Sequence, residues 1–195
     1  MVLDLLFIYY RTIFFLLSSF GASIVLTEKI SGILNRSMFA GVNLMEFSTA
    51  LFCLCTLILS VQSVLFCLIS YVLFFNPIIT SGLFLYSFGL LLSGWIGFLF
   101  GVLTAVLSTT ILGGVYVITG LALSQFLLSG GIWPVEGQPE FLRIFTRLMP
   151  MRIIGNMINN IALKGWSLSH LSIIKDISMS LLYIVILVLL LIVLG

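Results

Sequence analysis

The sequence predicts an all-α protein, a polytopic transmembrane bundle of about five spanning helices, and three observations carry that expectation. The chain is 62% hydrophobic and only 7% charged, against roughly 25% charged for an ordinary soluble domain. Its mean hydropathy is +1.34. Its apolar residues gather into runs close to the ~20 residues that a helix needs to cross a bilayer, and its polar residues are confined to two regions, 27–42 and 131–176. Such runs cannot be left in water, so the lipid bilayer is the chain's first partner. A length of 195 residues suits one membrane domain. The net charge of +2 is small and dispersed, which points away from nucleic acid.

The first run, 5–26, carries Arg11 near one end, where the long stem can reach the interface. Asp4, Arg11 and the lack of a small-residue cleavage site make it a span rather than a removable signal peptide. Residues 27–42 then predict a short helix lying at the interface. The second run, 47–75, is uncharged, ends at Asn76-Pro77, and is long enough to require tilt. Cys53, Cys55 and Cys67 all fall inside it while the polar regions hold no cysteine. That placement suits small apolar packing groups, not a disulfide framework or a zinc site.

The third and fourth runs, 81–107 and 111–130, are separated only by Ser108-Thr109-Thr110. In the third, Gly89, Ser93, Gly97, Gly101 and Ala105 form a ladder of small residues at every fourth position. In lipid, helices associate through close backbone approach and van der Waals packing, so this span is expected to pack tightly against a neighbour along its whole length. The long polar region opens with Ser129-Gly-Gly-Ile-Trp-Pro-Val-Glu-Gly-Gln-Pro-Glu140. Its helix-ending glycines, two prolines and a tryptophan predict a structured cap at the membrane boundary. Phe141, Phe145 and Leu148 then recur at helical spacing with Arg143 and Arg147 on another face. This predicts an amphipathic helix on or dipping into the membrane and broken at Pro150, followed by a helical piece over 153–163. The last run is 177–194, and an odd count of spans puts the termini on opposite sides of the membrane.

Catalytic constellations are absent from this pattern. Gly21-Ala22-Ser23 is followed by Ile24, not the second glycine of a nucleophile elbow. His170, the single histidine, sits in the polar region beside the last span. Glu136 and Glu140 are separated by Gly137 and Pro139, which favours a turn over a shared helix face. No Asp, Glu, Lys or Arg interrupts the second to fifth runs, which argues against the ion- or proton-coupled chemistry of channels and carriers.

The stretch Glu28-Lys-Ile-Ser-Gly-Ile-Leu-Asn-Arg-Ser-Met-Phe-Ala-Gly-Val42 after a first apolar span resembles the charged turn and coupling helix of ABC-2 type membrane domains of ATP-binding cassette exporters. Ser129-Gly-Gly-Ile-Trp-Pro-Val-Glu-Gly-Gln-Pro, then Leu148-Met-Pro150, then Lys164-Gly-Trp-Ser167 resemble, in order, the extracellular loop before the family's last helix. The likeness covers nearly the whole chain and is nearest to the G- and H-type half-transporters. It implies a permease portion whose two membrane domains, from a homo- or heterodimer, pair around a central path. It also implies that Glu28, Lys29, Gly32, Leu34 and Arg36 meet a nucleotide-binding cassette. Loop-motif residues Ser129, Gly130, Trp133, Pro134, Gly137, Pro139, Pro150, Gly165 and Trp166 would build the outer cap. The path would run between the first and fourth spans, with Phe15 and Ser19 facing Thr119, Leu123 and Phe126. Such an apolar, aromatic-rimmed path suits lipids, sterols or amphipathic xenobiotics.

The chain departs from that family in three respects. It has no Gly-x-x-x-x-Gly-Lys-Ser/Thr phosphate loop, so ATP and Mg would be bound by a cassette supplied in cis or trans, and this chain alone is not an ATPase. The family's usual first span has no counterpart here, as in a half-transporter that begins at its second helix. The bulky apolar valve expected after Ser-Gly is replaced by Gly131 and Ile132. The resemblance places 131–176 outside a plasma membrane and the sequon Asn35-Arg36-Ser37 in the cytoplasm, unmodified. Counting Lys and Arg would reverse that: Arg143, Arg147, Arg152, Lys164 and Lys175 lie in the longer region, Lys29 and Arg36 in the shorter. A non-transporting scaffold or regulatory membrane subunit is the alternative; a channel is a more distant one.

Overall fold

A computed structural model describes residues 2–33, 36, 39–41, 44–74, 77–129 and 137–194. These residues form helices joined by turns, with no strand among them. The helices are α1 (Val2–Ser31), α2 (Leu44–Phe74), α3 (Pro77–Leu107), α4 (Ile111–Leu128), α5 (Glu140–Leu148), α6 (Pro150–Lys164) and α7 (Leu171–Leu194). Among the described residues, three stretches are long and apolar enough to cross a membrane: Gly82–Leu107 within α3, α4, and α7. The first two expected spans fall in α1 and α2, of 30 and 31 residues. Helices of that length reach about 45 Å. Phe75, expected to close the second span, lies outside the described residues.

Local chemistry sets the boundaries. Between α3 and α4, Thr110 is extended (φ −131°, ψ 151°) and its Oγ1 accepts from the Gly113 N–H, capping α4. Between α5 and α6, Met149 is extended because the ring of Pro150 disfavours helical geometry in the residue before it. Pro150 then opens α6, where a missing N–H costs nothing. At the far end of α6, Gly165 adopts a left-handed conformation (φ 64°), and the N–H groups of Gly165 and Trp166 reach back to Ile161 and Asn160. The last helix begins at Leu171 rather than at 177, because Lys175 and Asp176 interrupt the apolar run without interrupting the helix.

Helix α3 is the centre of the bundle and packs against α1, α2, α4, α6 and α7. Tyr86, Leu90, Leu92 and Ile96 are its buried heart. The ladder of small residues is divided between neighbours. A side chain at Gly89 would strike Met157 and Ile158 of α6. One at Gly101 would strike the main chain of α1 at Ser18 and Ala22. Ser93, Gly97 and Ala105 are buried as well. A third glycine outside the ladder, Gly94, receives Leu59 of α2. The expectation of one continuous neighbour is therefore replaced by several, because α6 covers one part of α3 and α1 another.

The short link 108–110 makes α3 and α4 an antiparallel hairpin. Helix α6 runs back along the first half of α3, with Ile161 at Gly82 and Met157 at Gly89. The backbone of α3 leaves helical geometry at Gly82 (φ −113°, ψ 17°). Helices α5 and α6 thus form a bent pair at the end of the bundle opposite the α3–α4 link. The Tyr183 hydroxyl of α7 donates to the Leu148 carbonyl at the bend.

Candidate functional site

Three places hold the residues that sequence patterns single out. The first is the end of α1. Helix α1 stops at Ser31 because Gly32 turns left-handed (φ 70°), and Gly41 does the same (φ 95°). Between these glycines Arg36 donates its N–H to the Gly32 carbonyl, and Ala40 donates to the Arg36 carbonyl. At the described residues this is helical backbone, with a glycine that has no Cβ to clash at either end. Ile33 and Phe39 project from it, Phe39 at 92% exposure. Arg36 is exposed, and Leu34 lies outside the described residues.

Lys29 does something its sequence position does not reveal. Its Nζ donates to the carbonyls of Val106 (2.8 Å) and Ser108 (3.2 Å). These belong to the last turn of α3 and the link after it, where carbonyls lack helical partners and the helix dipole favours a cation. The ammonium therefore ties the end of α1 to the α3–α4 link. Next to it, Glu28 Oε2 is buried without a hydrogen-bond partner.

The second place is a groove between α1 and α4 of about 470 Å³. Ser19, Ser23 and Thr27 on α1 line it at every fourth position, facing Ile111, Val115 and Thr119 on α4. The structure thus brings Ser19 and Thr119 to one cavity. The hydroxyls of Ser23 and Thr119 donate to the carbonyls of Phe20 and Val115 on their own helices. Their lone pairs are left to accept from a donor in the groove. Leu123, one turn further along α4 from Thr119, is exposed and lies outside the groove lining. Phe126 is half-buried and outside the groove lining, and the side chain of Phe15 lies outside the described residues. The spacing of Ser19, Ser23 and Thr27 was a sequence signal for this groove.

The third place is the cap after α4. Ser129 is buried, and its N–H donates to the Gln125 carbonyl. Gly130, Trp133 and Pro134 lie outside the described residues, whereas Gly137 and Pro139 flank a residue that sequence patterns passed over. Gln138 is buried; its Nε2 donates to the Leu128 carbonyl (3.4 Å) at the end of α4, and its Oε1 accepts from Thr146 Oγ1 (2.8 Å) on α5. One amide therefore joins two helix ends. Arg143 adds a bond from Nη2 to the Gln138 carbonyl. Beyond Gly165, Trp166 stacks on His170 with ring centroids 4.8 Å apart, and Lys164 Nζ lies 4.3 Å from the indole centroid. Pro150, at the bend between α5 and α6, is buried.

Taken together, the arrangement is a bundle with a charged, tethered turn at one end, a hydroxyl-lined groove beside it, and a hydrogen-bonded cap at the other end. Comparison with known protein families finds a match over residues 2–163 to the family described as ABC-2 type transporter. No curated protein and no solved structure matches the chain.

Proposed function

The chain belongs to the ABC-2 type transporter family, and from that membership we propose that it is the permease of an ATP-driven exporter for lipids, sterols or amphipathic xenobiotics. The family supplies the membrane-spanning component of ABC transporters and works with nucleotide-binding cassettes in a bilayer. On this proposal the cassette binds ATP and Mg, a second half-transporter of G- or H-type closes the path, and the complex sits in the plasma membrane.

The observation that carries the proposal is the groove between α1 and α4. Its walls are apolar enough for a hydrocarbon body, and its hydroxyl oxygens accept from a single donor such as a sterol or lipid hydroxyl. It lies beside the segment bracketed by Gly32 and Gly41. Movement imposed on that segment by a cassette reaches α1 directly and reaches α3 and α4 through Lys29. One oxygen of Glu28 is buried within the chain, whereas exposed Arg36 suits an anionic group on the cassette.

The test uses the complex purified with its cassette and reconstituted in liposomes. ATP-dependent movement of a fluorescent sterol or lipid is expected, together with its loss when Ser19→Trp and Thr119→Trp fill the groove while cassette binding persists. A complex that holds its cassette, hydrolyses ATP and moves neither probe would leave the chain as a membrane scaffold.

A further inference from the structure

A different cavity lies between α1, α3 and α4, on the inner side of Ile118. It is lined by Ser18, Phe100, Thr104, Ile118, Leu121, Ala122 and Gln125. Gln125 is the sole amide of α4 and is only 8% exposed. Its Oε1 is an acceptor buried without a hydrogen-bond partner. Thr104 cannot serve it, because the Thr104 hydroxyl already donates to the Gly101 carbonyl (2.7 Å). A buried carbonyl left unpaired costs about 1–3 kcal/mol, and within a lipid-embedded bundle bulk water does not relieve it.

We propose that this cavity is an internal water site, in which a water donates to Gln125 Oε1 and shares its remaining bonds with the hydroxyl oxygens of the lining. Size selects the ligand. The space is about 10 Å³, at the threshold of roughly 10–15 Å³ at which a cavity admits one water, and far below the groove's about 470 Å³. Chemistry selects it too, since water is a small neutral donor that also bonds to hydroxyl oxygens.

The site has a mechanical meaning. Helix α4 is held to the bundle by a narrow stripe, Gly114, Ile118, Ala122 and Gln125. A wet contact at one end of that stripe can exchange partners as helices slide, which a dry interlocked contact cannot do without opening a void. The site is distinct from the groove, with Ile118 as the wall that lines both.

The chain contains three glutamines, Gln62, Gln125 and Gln138, so side-chain ¹⁵N-glutamine labelling gives three resolvable amides. The experiment is water-edited solid-state NMR of the full chain in deuterated lipid, with Gln125→Met used to assign its signal. Magnetisation transfer from water to the Gln125 amide is expected. It should fall at least about threefold in Ala122→Val, whose added methyls occupy the space a water needs. Unchanged Gln62 and Gln138 signals certify that this variant is folded. Absence of transfer in the parent protein overturns the site by itself, whether or not the variant folds. Transfer that survives Ala122→Val also overturns it, because water would then be reaching Gln125 from elsewhere.

Discussion

The ammonium of Lys29 acts 77 residues along the chain from one of its acceptors, the Val106 carbonyl. Removing it by Lys29→Met leaves two helix-terminal carbonyls without their cation, with an expected loss of about 1 kcal/mol in stability. Lys29→Arg should recover most of that loss, and thermal unfolding in detergent measures both. A stricter test of packing lies at Gly101, where any side chain collides with the main chain of α1. Backbone cannot rotate aside as a side chain does, so Gly101→Val is expected to cost about 2–3 kcal/mol and to lower the folded fraction by size-exclusion profile. Gly120 faces open space. Gly120→Ala should cost nothing and gain up to about 1 kcal/mol of helix propensity. The two substitutions separate a contact glycine from an incidental one.

At the scale of elements, the sequence was most readable where chemistry is local. The stop at Ser108-Thr109-Thr110, the break at Pro150 and the left-handed Gly165 each follow from a residue's own backbone preferences, and the helices end there. Long-range relations were less legible. Spacing revealed that α3 carries a small-residue stripe but not that α6, α1 and, beside the stripe, α2 divide its surface, since a period says nothing about which neighbour arrives. Gln138 was invisible for the same reason: a lone glutamine between glycine and proline looks like turn filler. Its joint hold on Leu128 and Thr146 predicts that Gln138→Leu loosens both helix ends, at a cost of about 1–3 kcal/mol. Hydrogen–deuterium exchange should rise in the last turn of α4 and in α5, and not in α3.

For the whole molecule, composition alone determined the class. A chain with 7% charge has no soluble solution, and the helical bundle follows from the need to satisfy every backbone group within lipid. Orientation is not so determined, because the arginine count and the family resemblance point opposite ways. The proposed topology predicts that Ser167→Cys in intact cells reacts with a membrane-impermeant maleimide, whereas Arg36→Cys reacts only after permeabilisation. Both positions are exposed. The reverse pattern would put the groove's mouth on the other side of the membrane and with it the direction of transport.

The bond from Tyr183 to the Leu148 carbonyl also bears on how the protein is made. Synthesis runs from the N-terminus, so the bent pair α5–α6 is complete before α7 has left the ribosome. Until then the carbonyl at the bend lacks its donor, and the side of α6 that α7 will cover is bare. Water serves that exposed carbonyl in the meantime, but the bare side of α6 settles only when the last helix is inserted. Chains truncated before Tyr183 and freed from the ribosome should accordingly remain bound to the insertion machinery, and the 195-residue chain should leave it.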